Sequence, residues 1–241
     1  MNKTVFVTGS SSGIGFNICK KLFKNNFDVI LNGNNIDRLK KSSKSLGKSK
    51  YYLGDITNLK EVKKIFNTMK KDGIKIDVLI CNYGNSNKKN NDTNIYHAFK
   101  HNFFPSVNVI QEATALMNKE IKIICVSSIC GNEIIQGAPI GYSVAKSSLN
   151  SFVKIYSNFL GERGSINYIS LGNIMFPGSL WEKKLKEEPL KTKKYINSNV
   201  PAKKFGQIDD IYEICNYLIN QKNNYVTGSN FIIDGGQTRK L

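Results

Sequence analysis

Seven short apolar runs, near residues 4–8, 27–32, 50–54, 77–82, 121–127, 165–170 and 230–233, alternate along the chain with longer segments of helical period. Strands joined by helical crossovers lie parallel in one sheet with helices on both faces. A chain of 241 residues with 40% hydrophobic content can fill one large core, and no internal repeat or low-complexity linker divides it. The expected fold is α/β: a doubly wound parallel sheet of about seven strands in a single domain over residues 1–241. Ligands of such sheets collect in the crevice outside the strand C-termini, where strand order reverses. Gly9, Asp55, Asn82, Ser128 and Leu171 all fall near expected strand ends.

The first run, Val5-Phe6-Val7, leads into Thr8-Gly9-Ser10-Ser11-Ser12-Gly13-Ile14-Gly15 and then into the amphipathic segment Phe16 to Phe23. This reads as strand, tight turn, helix. Glycine supplies dihedrals that other residues resist, and its missing Cβ lets backbone approach a pyrophosphate at the positive end of a helix. A glycine turn can be only a loop, but between an N-terminal strand and a helix it points to a Rossmann-like dinucleotide site.

Tyr142 and Lys146 stand four apart in Gly141-Tyr142-Ser143-Val144-Ala145-Lys146, which puts a phenol and an ammonium on one helix face. A neighbouring cation is expected to draw the phenol pKa down toward the range of a general acid/base. Such pairs also arise by chance on solvated helices.

Taken together, the T-G-x-x-x-G-x-G of Thr8, Gly9, Gly13 and Gly15 and the Y-x-x-x-K of Tyr142 and Lys146 make the chain resemble the short-chain dehydrogenase/reductases over almost its whole length. Asp55, Asn102, Ser128 in Val126-Ser127-Ser128-Ile129-Cys130-Gly131, and Asp234-Gly235-Gly236 match further family landmarks in order. The resemblance implies a catalytic set. Tyr142 would exchange a proton with a carbonyl or alcohol oxygen while hydride passes to or from a nicotinamide. Lys146 would bond the nicotinamide ribose and lower the tyrosine pKa, Ser128 would hold the substrate oxygen, and Asn102 would fix a water linking Lys146 to solvent. It also implies cofactor contacts from Gly9, Ser11, Ser12, Gly13, Ile14 and Gly15, from Asn34, Asp55 (at the adenine) and Ile56, and from Asn82, Gly84, Tyr142, Lys146, Gly172 and Ile174.

Departures from the family pattern bear on the cofactor. The usual N-N-A-G after the fourth strand is Cys81-Asn82-Tyr83-Gly84, with a bulky ring where alanine leaves room, and the usual Pro-Gly after the sixth is Leu171-Gly172. At the end of the second strand, Leu31-Asn32-Gly33-Asn34-Asn35 offers no acid to repel a 2′-phosphate, and Ser12, Asn34, Asn35 and Arg38 offer bonds to one. NADP(H) is favoured over NAD(H) on that electrostatic ground.

Other features weigh less. The formal charge of +17 is dispersed along the chain, and its one cluster, Lys183 to Lys194, is interrupted by Glu182, Glu187 and Glu188, so neither nucleic acid nor membrane is expected as a partner. His97 and His101 have metal-ligand spacing but no third ligand, and no metal is expected. Five scattered cysteines, no apolar stretch of membrane-spanning length and no signal peptide point to a reduced, cytoplasmic protein. Residues 173–205 form the expected substrate lid, where Trp181 either closes over substrate or staples the lid to the core. Long helices at about 94–118 and 141–163, apolar on more than one face, imply a homodimer or homotetramer, as the resemblance also does. The leading reading is a hydride-transferring enzyme on a carbonyl/alcohol pair. The alternatives are a cofactor-binding sensor or scaffold without turnover and a basic binder of nucleic acid or membrane.

Overall fold

The computed structural model describes residues 2–86 and 94–240. Within them the strands β1 (Thr4–Val7), β2 (Asp28–Gly33), β3 (Tyr51–Leu53), β4 (Ile76–Cys81), β5 (Met117–Ser128), β6 (Gly164–Leu171) and β7 (Asn230–Ile233) form one sheet in the order β3-β2-β1-β4-β5-β6-β7. Every pairing is parallel. Strand order reverses between β1 and β4, which opens a crevice above those two strand ends.

The helices are α1 (Gly13–Lys24), α2 (Ile36–Ser45), α3 (Leu59–Lys71), α4 (Ile95–Asn102), α5 (Phe104–Ala113), α6 (Ile140–Leu160), α7 (Leu180–Glu187), α8 (Pro189–Asn199) and α9 (Ile208–Asn220). Strand residues alternate between two cores because successive side chains point to opposite faces. Phe6, Ile30, Leu79 and Ile123 pack with Val62, Ile65 and Phe66 of α3, Val109 and Ile110 of α5, and Leu149 and Val153 of α6. On the other face, Val5, Val7, Leu31, Val78, Ile80 and Ile124 pack with Ile18 and Leu22 of α1, Leu39 of α2, and Ile211 and Leu218 of α9. Both faces are covered, so the strands read as continuous apolar runs rather than strict alternation.

The long helix expected over 94–118 does not form. Phe103 leaves helical dihedrals at φ −127°, ψ −65°, and Pro105, which has no N–H and whose ring displaces the carbonyl four residues back, opens α5 instead. The chain leaves helix after Ala113, and β5 begins at Met117, four residues before the apolar run that announced it. Its pairing with β4 shifts register between Ile76 and Val78. The helix expected over 141–163 is α6, closed by Gly161 at φ +53°. Of the polar stretch Asn85 to Asp92 expected as an exposed loop, only Asn85 and Ser86 lie within the described residues. Four of the five cysteines are buried in the core, and Cys130 is half-buried.

Candidate active site

The turn after β1 is built by hydrogen bonds before it meets any ligand. Ser10 Oγ donates to Val7 O at 2.6 Å and accepts from Asn32 N–H at 3.0 Å, which ties the turn to the end of β2. Asn82 Nδ2 donates to Thr8 O and Gly9 O at 3.0 and 3.2 Å, and Thr8 Oγ1 accepts from the N–H groups of Asn82 and Tyr83 at 3.1 and 3.3 Å. Glycine is required at two positions in different ways. Gly13, at φ +64°, would carry a Cβ with nothing within 4 Å, so its backbone stands open. A Cβ on Gly15 would lie 2.4 Å from Asn82 Nδ2, so this glycine keeps α1 close to β4. Ser12 makes no side-chain cap bond and the first turn of α1 carries no acid. An open backbone at a positive helix end suits a pyrophosphate.

A cleft of about 380 Å³ runs from this turn over the ends of β2, β3 and β4. Ten of the expected cofactor residues line it: Gly9, Ser11, Ser12, Gly13, Ile14, Asn34, Asp55, Ile56, Asn82 and Gly84. Gly15 lies behind them. Gly172 and Ile174 do not line it, because the Gly172 N–H donates to Ile233 O as the sheet ends and the Ile174 side chain is buried against Gly206. Phe176, two residues on, lines the cleft in their place. Asn32 also lines it and was missed; its amide takes the Gly9 N–H at 3.3 Å and donates to Tyr52 O and Gly54 O, a role foreshadowed only by a polar side chain ending an apolar run.

None of the four expected catalytic residues lines this cleft, Tyr142 and Lys146 included; they lie beyond it, with Asn102 and Lys146 against Gly84. Ser128 closes β5, Asn102 closes α4, and Tyr142 and Lys146 occupy the first two turns of α6. The short turn Ile129–Gly131 brings Ser128 against α6, since a Cβ on Gly131 would lie 2.7 Å from the Lys146 backbone. Lys146 is 3% exposed, donates from Nζ to Val126 O at 2.9 Å, and sits 5.9 Å from the Tyr142 ring centroid. Gly84 joins the two halves. Its missing Cβ would stand 3.2 Å from Asn102 Oδ1 and 3.4 Å from Lys146 Nζ, while the same glycine lines the cleft.

The structure adds a contact for Asn102 and reverses the expected direction of the Tyr142 shift. The Asn102 amide accepts from Asn85 N–H at 2.8 Å and donates to Asn85 O and Ala98 O at 3.0 and 3.1 Å, which clamps the loop that carries Gly84. The Tyr142 phenol is not drawn down by Lys146. Burial pushes it above its ordinary value, Cys130 adds to the rise, and a side-chain hydrogen bond from Ser128 pulls it partly back. The ammonium spends its bond on the Val126 carbonyl, and its own burial lowers Lys146 to about 8, against a partial opposing pull from Cys125, Cys130 and Cys81. Trp181 stacks on Tyr195 at 5.4 Å and meets Phe205 at 5.5 Å, which makes it a staple within the segment rather than a free lid.

A reversed-order parallel sheet, an open glycine turn, a Ser128–Tyr142 pair on neighbouring elements and a Gly84 approached by both Lys146 and Asn102 fit a nicotinamide-dependent oxidoreductase. Residues 9–238 match the family described as Enoyl-(Acyl carrier protein) reductase, and the chain belongs to the short-chain dehydrogenase/reductases and is an NAD(P)-dependent oxidoreductase. It is similar to the 3-oxoacyl-[acyl-carrier-protein] reductase FabG of Rickettsia conorii, at 28% identity over 97% of this chain and 96% of that protein. The protein of the same name from Buchnera aphidicola subsp. Baizongia pistaciae is 30% identical over the same shares. Among solved structures, L-sorbose reductase from Gluconobacter frateurii, complexed with NADPH and L-sorbose, shares the fold with a TM-score of 0.88 at 22% identity, covering 100% of this chain and 98% of its own. No helix among the described residues is long and apolar enough to cross a membrane.

The buried lysine gives a pH signature. Below about pH 8 Lys146 is charged in the folded and unfolded states alike; between there and the ordinary 10.5 only the unfolded state keeps the proton, so stability rises with pH across that window. In urea unfolding, wild type should gain up to about 3 kcal/mol on Lys146→Met as pH rises through it. A difference that stays flat with pH contradicts the burial of this ammonium.

Proposed function

We propose that the chain reduces or forms a carbonyl at the end of the cleft marked by Gly84, with NADP(H) preferred and with Tyr142 as the general acid/base. The approach of Gly84 to both Lys146 and Asn102 carries this reading, because it brings the cofactor groove and the proton-transfer groups within one side chain's length. When bound, the nicotinamide supplies or accepts the hydride. A phenol raised by burial stays protonated at neutral pH, so Tyr142 is ready to donate to a developing alkoxide. Ser128 donates a second hydrogen bond to that oxygen and holds the carbonyl in line. Lys146, already dehydrated, releases the Val126 carbonyl to bond the ribose hydroxyls; its charge then favours phenolate formation as the proton leaves. Asn102 keeps Gly84 out of the way by holding Asn85.

The preference for NADP(H) rests on the end of β2. Gly33, Asn34 and Arg38 line the cleft there without a carboxylate, and a guanidinium beside an open groove suits a 2′-phosphate. Asn35 contributes less than expected, since its side chain caps α2 by accepting from Arg38 N–H at 2.9 Å. The names of the curated relatives make a 3-oxoacyl group a suitable first substrate, with residues 173–205, carrying α7 and α8, as the segment that covers it. The lysines of this segment are partly neutralised by Glu182, Glu187 and Glu188.

We further propose a two-fold assembly through α4 to α6. Phe104, Val144, Ile155 and Phe159 are exposed, and Phe159 continues a row of rings through Tyr156, Phe152 and Phe103. An apolar strip of this extent is rare on a monomer. Light scattering at micromolar concentration should give at least twice 27.1 kDa; a stable, active monomer rules the pairing out.

Tyr142→Phe should abolish carbonyl reduction while NADPH affinity stays within a few-fold, as fluorescence titration and turnover measure separately; retained turnover removes Tyr142 as the acid. Cofactor choice is tested at Gly33, where a Cβ would press on Ser11 Oγ at 2.8 Å. Gly33→Ala carries that steric cost alone and should weaken both cofactors equally. Gly33→Asp should weaken NADPH by about 1–3 kcal/mol beyond its effect on NADH. Equal losses in both variants would place the 2′-phosphate elsewhere.

A further inference from the structure

Two sequence features that the proposed chemistry leaves unused meet in one cluster: the ring of Tyr83 and the pair His97 and His101. Tyr83 follows the end of β4, and its N–H is held by Thr8 Oγ1 at 3.3 Å. Its Cβ lies 3.0 Å from where a side chain on Gly9 would begin, and its ring lines the cleft and packs on the core behind. The phenol oxygen lies 2.8 Å from His101 Nδ1 on α4. The His101 ring in turn packs 4.4 Å from that of His97, whose Nε2 is buried with no hydrogen-bond partner among the described residues. Burial pushes the Tyr83 phenol up to about 12, with Asp55 adding to the rise. Burial lowers His101, helped by His97 and Lys100 and opposed by Asp55. At neutral pH the phenol is therefore the donor, Nδ1 the acceptor, and the imidazole proton sits on Nε2.

We propose that Tyr83 is a wall of the adenosine end of the cleft and that His101 is the positioning residue that holds it there; this rests on the reading of the cleft as the NAD(P) site. The ring lies toward Gly9 and Asp55, whereas Lys146 approaches the neighbouring Gly84. It is fixed at both ends, by Thr8 at the backbone and by His101 at the hydroxyl. A side chain already immobilised gives apolar contact to a ligand without a further loss of rotamer freedom. Alanine, which the family commonly has here, offers no such surface.

Direct titration of NADPH and NADH, by fluorescence or calorimetry, tests this on the intact protein. Tyr83→Ala should raise Kd about tenfold for both cofactors, since the wall meets the adenosine they share. Tyr83→Phe, nearly isosteric, keeps the ring and loses the tether, and His101→Ala loses the same bond from the other side. Each should raise Kd about threefold, and the double variant should be no weaker than either. His101→Gln, which restores an acceptor, should return Kd to the wild-type value. An unchanged Kd in Tyr83→Ala, or additive losses in the double variant, overturns the proposal. Absence of saturable binding by wild type would instead bring down the reading of the cleft itself, and the proposal with it.

Discussion

The latch between Thr8 and Asn82 is the interaction on which the rest of the site depends. Parallel strands of reversed order diverge at their C-terminal ends, and the backbone groups there lose their sheet partners. In this chain one hydroxyl and one amide satisfy them across the gap, through four hydrogen bonds between 3.0 and 3.3 Å. The latch fixes the two turns against each other. It sets Gly13 open to the cleft, presses Gly15 against Asn82, and aims the residues that follow β4 at α4 and α6. Gly84 can then approach Lys146 and Asn102.

Burial sets the electrostatics of what the latch assembles. Lys146 carries an ammonium in a place that water scarcely reaches, hydrogen-bonded to the Val126 carbonyl. That is costly in the resting protein, and the depressed pKa records the cost. A group held in this way gains more from a ribose hydroxyl and a developing phenolate than a solvated lysine would, because its desolvation is complete before either arrives. The raised phenol of Tyr142 belongs to the same arrangement, and in the proposed reaction its proton would be held first and released when charge develops on the substrate oxygen.

Much of this was legible in the sequence because it depends on local pattern. Apolar runs announced every strand within a few residues, since strands covered on both faces have no polar side to show. The glycine turn and the Tyr142-Lys146 pair carried their chemistry in their spacing. What stayed hidden depends on tertiary packing. Pro105 stood in plain view, but the break it imposes between α4 and α5 needed Phe103 to leave helical dihedrals. The contact of Tyr83 with His101 joins residues on a strand end and a helix whose crossing no local pattern encodes. The direction of the Tyr142 shift turned on burial of the phenol, with Cys130 adding to it, and burial of that kind is set by packing that no local pattern encodes. The sheet-end bond of Gly172 to Ile233 O and the packing of the Ile174 side chain into the core are likewise contacts that the order of motifs does not encode.

The central claim is that the cleft beginning at the glycine turn and ending at Gly84 is one dinucleotide site that delivers a nicotinamide to Tyr142. A crystal structure of the chain grown with NADP⁺ measures this most directly. The expected result is pyrophosphate density against the backbone of Ser12 to Ile14, the adenosine between Asn34 and Asp55, and the nicotinamide ribose in hydrogen-bond reach of Lys146 Nζ. Dinucleotide bound elsewhere on the molecule, or bound in the cleft with its nicotinamide turned away from Tyr142 and Lys146, would contradict the account.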